Sequence, residues 1–368
     1  MQMKRRTFAQ GLLKGSLMAG AGLIAAPTLI TRAHAADAFK AAWIYVGPVG
    51  DFGWSYQHDV GRKAVETALG DQVKTTYVES VPEGADAERV LRDLATAGNK
   101  IIFATSFGFW QPAIKVAKQF PDVKFEHATG YKRADNLATY NIRFYEGRYI
   151  QGVIAGMMSK AGLVGFIGSV PIPEVIMGMN AFVQGMRSVN PKGRLKFVMI
   201  NSWYDPGKEA DAAKALLDQG CDMIAQHTDS PAPLQTAHER GIKGFGQASD
   251  MIKFAPDSQL TSSIDHWDDY YVRRVRAAMG GSWKSEDVWE GLNTGMLKMA
   301  AYTNMPDDVK AAAEKAEAGI KSGEVVIFKG PINAQDGSAK VPSGEALDDG
   351  KIATMDWLAE GVEGQLPK

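Results

Sequence analysis

A single cysteine, Cys221, stands in 368 residues, so no internal disulfide and no Cys-x-x-Cys metal or redox site can form. Charge is nearly balanced, with 41 basic and 42 acidic side chains, and no basic field exists to hold nucleic acid. Gly-x-Gly-x-x-Gly and Gly-Lys-Ser/Thr are both missing, which leaves nucleotide phosphates without their usual backbone cradle. The acyl-transfer elbow Gly-x-Ser-x-Gly is missing too. Beyond residue 35 the histidines are His58, His127, His227, His238 and His266. None forms His-Glu-x-x-His or His-x-His, so neither a metal centre nor a catalytic constellation is expected. After the N-terminal segment no apolar run approaches the roughly 20 residues of a membrane-spanning helix. Composition is otherwise that of a globular chain, 45% hydrophobic and 23% charged, which excludes disorder over most of the length.

Residues 1–35 read as a targeting segment. Lys4, Arg5 and Arg6 precede an apolar, Gly/Ala-rich stretch from about Leu17 to Ile30, and Ala33-His34-Ala35 supplies an A-x-A cleavage site. Lys4-Arg5-Arg6-Thr7-Phe8 is similar to a twin-arginine export signal. Cleavage would remove Lys14 and Arg32 as well and no acidic residue, leaving a net acidic chain.

In the remaining chain strand-like and helix-like patterns alternate. Continuous apolar runs such as Ala41–Val46, Lys100–Ala104 and Leu163–Ile167 suit strands buried on both faces. Between them lie stripes at helical spacing, for example Ala87, Val90, Leu91, Leu94 and Ala95. Two such βα sets predict an α/β protein of two doubly wound lobes, with ligand binding at the carboxyl ends of the strands. The first lobe is expected over 36–158 and the second over 159–265.

Three of those strand ends carry aromatics. The first runs into Gly50-Asp51-Phe52-Gly53-Trp54, where Trp54 either caps the helix start or faces a ligand. The third ends in Ser106 and Phe107, with Phe109 or Trp110 assigned to packing. In the second set Trp203 precedes Asp205-Pro206, a helix N-cap and first turn. Trp54 facing Trp203 across a cleft would hold a flat π-system. Asp51, Ser106, Phe107, Asp229, Gln247, Asp250 and His266 are the polar and aromatic candidates around it. The Asp265-His266 pair reads equally as a solvated helix cap.

The chain resembles the basic membrane protein family of ABC-transporter substrate-binding proteins, which has purine-nucleoside-binding members. Gly50-Asp51-x-x-Trp54-Ser55, Ala104–Pro112, Phe120–Phe125, Tyr145-Glu146-Gly147-Arg148-Tyr149-x-x-Gly152, Gly165–Gly168 and Asn180–Gly185 carry the resemblance. It implies a type I periplasmic-binding-protein fold whose hinge is crossed three times. About 266–300 would return to the first lobe, and much of 301–368 would pack on the second. It implies a ligand base sandwiched at the positions of Trp54 and Trp203. Groups that contact ribose in nucleoside-binding relatives are replaced here by Tyr45, Ala248 and Asp265, which favours a free nucleobase such as adenine over a nucleoside. The implied protein is a monomeric, non-enzymatic periplasmic binding protein without cofactor or metal. It delivers its purine to a membrane permease served by a separate ATPase. Many members of the family are lipoproteins, but the export segment here holds no cysteine, so no lipid anchor is expected. A nucleoside ligand and a ligand-sensing module are the alternatives.

Overall fold

The computed structural model describes residues 37–50 and 52–367. The expected export segment, 1–35, and Asp51 lie outside the described residues. The chain begins with β1 (Phe39–Tyr45), α1 (Trp54–Leu69), β2 (Val73–Val78), α2 (Ala85–Thr96), β3 (Ile101–Thr105), α3 (Trp110–Gln119), β4 (Lys124–Ala128) and β5 (Leu137–Ile142). It continues with α4 (Phe144–Met158), β6 (Leu163–Gly168), α5 (Pro173–Val189), β7 (Arg194–Met199), α6 (Pro206–Asp218), β8 (Met223–His227), α7 (Ala232–Glu239), β9 (Lys243–Gly246) and β10 (Gln259–Asp265). Then come α8 (Asp268–Met279), β11 (Asp287–Glu290), β12 (Leu297–Met299), α9 (Asp307–Ser322), a hairpin of β13 (Ile332–Asn333) and β14 (Ala339–Val341), α10 (Asp349–Ala353) and β15 (Val362–Glu363).

Two sheets organise these elements. The first has the order β11-β5-β4-β3-β1-β2 and is parallel throughout. The second has the order β12-β10-β9-β8-β6-β7-β15 and is parallel except for β12, which runs antiparallel to β10. Central strands are covered on both faces, so β3 and β6 are buried at every position. That is why they read as unbroken apolar runs rather than alternating ones.

The chain passes between the sheets three times: from β5 into α4, from β10 into α8, and from β11 into β12. The first passage falls at Arg143, earlier than the boundary expected at 158, because α4 packs on α5, α9, β10 and β12. Glycine decides this packing. A Cβ on Gly152 would stand 2.0 Å from the Phe182 carbonyl oxygen, and one on Gly185 would stand 2.0 Å from that of Tyr149. Only glycine lets the two backbones approach so closely. The return of α8 to the first sheet is fixed by a buried network. Glu126 on β4 accepts from Tyr270 Oη (2.6 Å), Arg274 Nε (2.5 Å) and Trp283 Nε1 (2.6 Å).

Candidate functional site

The carboxyl ends of the two sheets face each other across a narrow slot. Trp54 enters from the first residue of α1 and Trp203 from the loop after β7. Ser106, Phe107 and Thr129 line it from the first sheet; Asp229, Gln247, His227 and Glu174 line it from the second. The empty space between them is about 340 Å³, and only a small part is wide enough for a water molecule. A slot of that shape suits a flat ligand admitted when the walls part.

Each tryptophan is held by its ring nitrogen. Trp54 Nε1 donates to the Thr105 carbonyl at 2.6 Å, and His58 and Trp267 meet its ring edge-to-face at 4.3 and 5.5 Å. Trp203 Nε1 donates to Glu83 Oε1 at 3.3 Å, and its carbonyl accepts from the Asp229 amide at 3.0 Å. Glu83 belongs to the first sheet's side and also accepts from Ser106 Oγ (2.6 Å) and the Gly108 amide (3.0 Å). One carboxylate therefore ties both sides of the cleft together.

The polar groups are less evenly available. Gln247 gives its oxygen to Arg148 and to Ser263 Oγ (3.3 Å), which leaves its NH2 for a ligand. Arg148 is fully buried and also donates to Gln151 at 3.0 Å; burial lowers its pKa to about 10. Glu174 stands in the first turn of α5, where the helix dipole favours a carboxylate. Its Oε2 accepts from Asn141 Nδ2 at 3.2 Å, and its Oε1 lies 3.4 Å from His227 Nε2. Burial lowers the pKa of His227, so the ring is neutral near pH 7. Asp265 is buried just behind, its carboxyl without a hydrogen-bond partner among the described residues. Burial first, and then the charge of Glu174, push its pKa well up, against the pull of Arg148.

Of the residues expected from sequence, Trp54, Trp203, Ser106, Phe107, Asp229 and Gln247 share this wall. Phe109 is core, as packing required. Two expected residues, Asp250 and His266, are not among those lining the slot. Asp250 folds back on its own loop and accepts from the Ile252 amide (3.1 Å) and Gln259 Nε2 (2.7 Å). His266 follows Asp265 and faces away, its Nε2 3.7 Å from Asp268, in a separate hollow with Tyr270 and Arg273. Neighbours on extended chain point to opposite sides, so only one of the Asp265-His266 pair can look inward. Sequence reasoning missed Glu174 and Thr129. The Ile172-Pro173-Glu174 helix start is the one signal that could have found the first.

Backbones from the two sides of the slot come into contact. A Cβ on Gly53 would stand 2.2 Å from the Asp229 carbonyl oxygen, and Ser249 Oγ donates to the Phe52 carbonyl. Gly53→Ala should therefore hold the cleft ajar and weaken ligand binding by about tenfold or more. Titration calorimetry reads the affinity, and small-angle scattering in the presence of ligand reads the loss of the closed shape.

His127 supports the wall from behind, donating Nε2–H to the Ser106 carbonyl at 2.8 Å. Burial holds its pKa down to about 4. Near pH 7 the ring is neutral whether the chain is folded or not. Below about pH 6.5 the unfolded chain takes a proton that the folded one refuses until about pH 4. Stability should fall across that window, by on the order of 3 kcal/mol from this group. His127→Gln should flatten that part of the profile in urea denaturation.

Residues 38–336 match the family described as PnrA-like ABC transporter substrate-binding proteins. A curated relative from Brucella abortus, named purine-binding protein BAB2_0673, is 60% identical over 91% of this chain and 96% of its own. A second, from Haloferax volcanii, is named a putative ABC transporter glucose-binding protein and is 36% identical over 90% of this chain and 82% of its own. Among solved structures, an ABC transporter solute-binding protein from Aeropyrum pernix superposes with a TM-score of 0.67 at 19% identity, covering 80% of this chain and 93% of that one. The fold is thus the type I periplasmic-binding-protein fold that the resemblance implied, and the family consists of binding proteins rather than enzymes. The chain belongs to the Bmp family of PnrA-like ABC transporter substrate-binding proteins.

Proposed function

We propose that the protein captures a free purine base, adenine first among them, between Trp54 and Trp203 and delivers it to a membrane permease. The observation that carries this reading is the placement of two indoles from opposite sheets on the walls of one narrow slot. Stacking on each supplies about 0.5–1.5 kcal/mol beyond the area buried. The carboxyl oxygens of Glu174 and Asp229 offer hydrogen-bond acceptors, which an amine and a ring N–H can meet and a 6-oxo group cannot. The small slot and the identities of Tyr45, Ala248 and Asp265 favour a base without its ribose. Tyr45 supports this reading because its hydroxyl is engaged with Asp59 at 3.3 Å. The name of the Brucella relative favours a purine as well.

Capture would follow a hinge motion at the three passages between the sheets, with residues 38–142 and 268–290 forming one lobe and 144–265 with the C-terminal part forming the other. The open form exposes the two rings; closure buries the ligand and presents the docked surface to the permease. In this reading the chain is exported by its twin-arginine-type segment, carries no lipid anchor, and works as a periplasmic monomer.

Thermal stability against adenine, guanine, hypoxanthine, xanthine, uracil, adenosine and guanosine tests the ligand. Ligand at 100 times its dissociation constant adds about 2.7 kcal/mol. Stabilisation by adenine but not adenosine is expected. Stabilisation by nucleosides alone would overturn the free-base reading, and no response to any purine would overturn the purine.

A further inference from the structure

The slot adjoins a second and larger cavity. Phe107, Thr129 and Glu174 belong to the walls of both. The second encloses about 1120 Å³ of empty space, part of it open to solvent.

Its far side is aromatic. Tyr131 stacks on Phe107 with ring centroids 5.9 Å apart and is 57% exposed. Trp289 faces in from β11, its Nε1 donating to the Ile142 carbonyl at 3.1 Å and the Arg143 guanidinium lying 4.5 Å above the ring. Met177 of α5 adds an apolar patch. Ala353 and Thr354 complete the wall, and both lie beyond residue 336, where the family match ends.

The junction between the cavities is a built feature. Thr129 is a β-branched residue held at φ +56°, a conformation such residues rarely adopt. Strain of this kind persists where the surroundings over-determine it and clusters at ligand sites. Its hydroxyl is buried and has no hydrogen-bond partner among the described residues, which costs about 1–3 kcal/mol unless something meets it. A carboxylate, Glu174, stands at the same junction. A ligand crossing here would be held by an N–H group directed to Thr129 Oγ1 or Glu174, with an apolar or aromatic group beyond it.

We propose that the second cavity is a subsite for an arm on the purine, an alkyl or arylmethyl group attached through the exocyclic nitrogen, so that the ligands include adenines substituted on the amine as well as the bare base. The inference rests on the purine reading of the slot. Substitution on the exocyclic nitrogen keeps one N–H, which the junction can accept, and sends the arm toward the rings of Tyr131 and Trp289.

Calorimetric titration of adenine, N-benzyladenine and adenosine into the wild-type protein, Ala353→Trp and Tyr131→Ala tests this. Both changes fall at exposed positions outside the slot. N-benzyladenine should bind the wild type at least as tightly as adenine. Each variant should weaken it by about tenfold or more while adenine changes by less than about twofold. Exclusion of N-benzyladenine by a wild type that binds adenine would overturn the subsite and leave the slot reading standing. An equal effect on both ligands would make the cavity only an entrance, and dependence shown by adenosine instead would attach the arm to a ring nitrogen; either overturns the proposal. Failure of adenine and N-benzyladenine alike in the wild type would overturn the slot reading along with it.

Discussion

Trp54→Ala and Trp203→Ala should each lower adenine affinity at least about tenfold, the factor that ~1.4 kcal/mol represents. Each replacement removes a ring face from the slot and leaves the polar groups in place. The two losses should not add. With one ring gone the ligand is already loose, and partners that share a ligand couple. Trp203→Ala also frees Glu83 from its bond across the cleft, so it should impair closure more than Trp54→Ala does. Trp54→Phe and Trp203→Phe keep a stacking face and should recover much of the affinity. Wild-type affinity in both alanine variants, with melting temperatures intact, would exclude the sandwich.

Arg274→Met should cost about 3–5 kcal/mol of stability, the usual result of leaving a buried charge without its partner. Glu126 is completely buried in the first sheet, and burial already pushes its pKa up against the pull of Arg274. Without the guanidinium it must be protonated or stay charged in an apolar setting. The loss should therefore shrink as pH falls, because protonation relieves it. Glu126→Leu combined with Arg274→Met should recover much of the stability, since the pair also carries the desolvation cost of both ions. Urea denaturation between pH 4 and 7 measures all three. Because Arg274 lies on α8, the single variant should also loosen the helix that returns from one sheet to the other.

Legibility in the sequence followed burial. β1, β3 and β6 are covered on both faces, and their apolar runs mark them at once. α8 was readable to its ends because its periodicity is clean and Gly280 stops it. β11, β12 and β15 were not readable: they are two to four residues long, and tertiary pairing rather than pattern makes them strands. β5 is buried almost throughout, but Thr139 and Asn141 break its apolar run, bonding to Asp287 and Glu174 across long stretches of chain. The site divided in the same way. Aromatics at strand ends were visible because a large ring in a Gly-rich turn needs a partner. Glu174 was not, since it sits at a helix start far along the chain and joins the slot only once two sheets close on each other. Asp250 and His266 had the right position in sequence, but side-chain direction and a local cap took them elsewhere.

Both indole nitrogens in the slot are engaged with the protein itself, Trp54 with a backbone carbonyl and Trp203 with Glu83. Toward a ligand the rings are then chemically mute: they offer faces and no directional bond. Tightness and choice are written in different residues. Under the proposed stacking, substitutions at Gln247, Asp229 or Glu174 should re-rank planar heterocycles while leaving both ring faces in place. In that reading the slot is retunable between closely related bases in single steps, each intermediate still binding one of them.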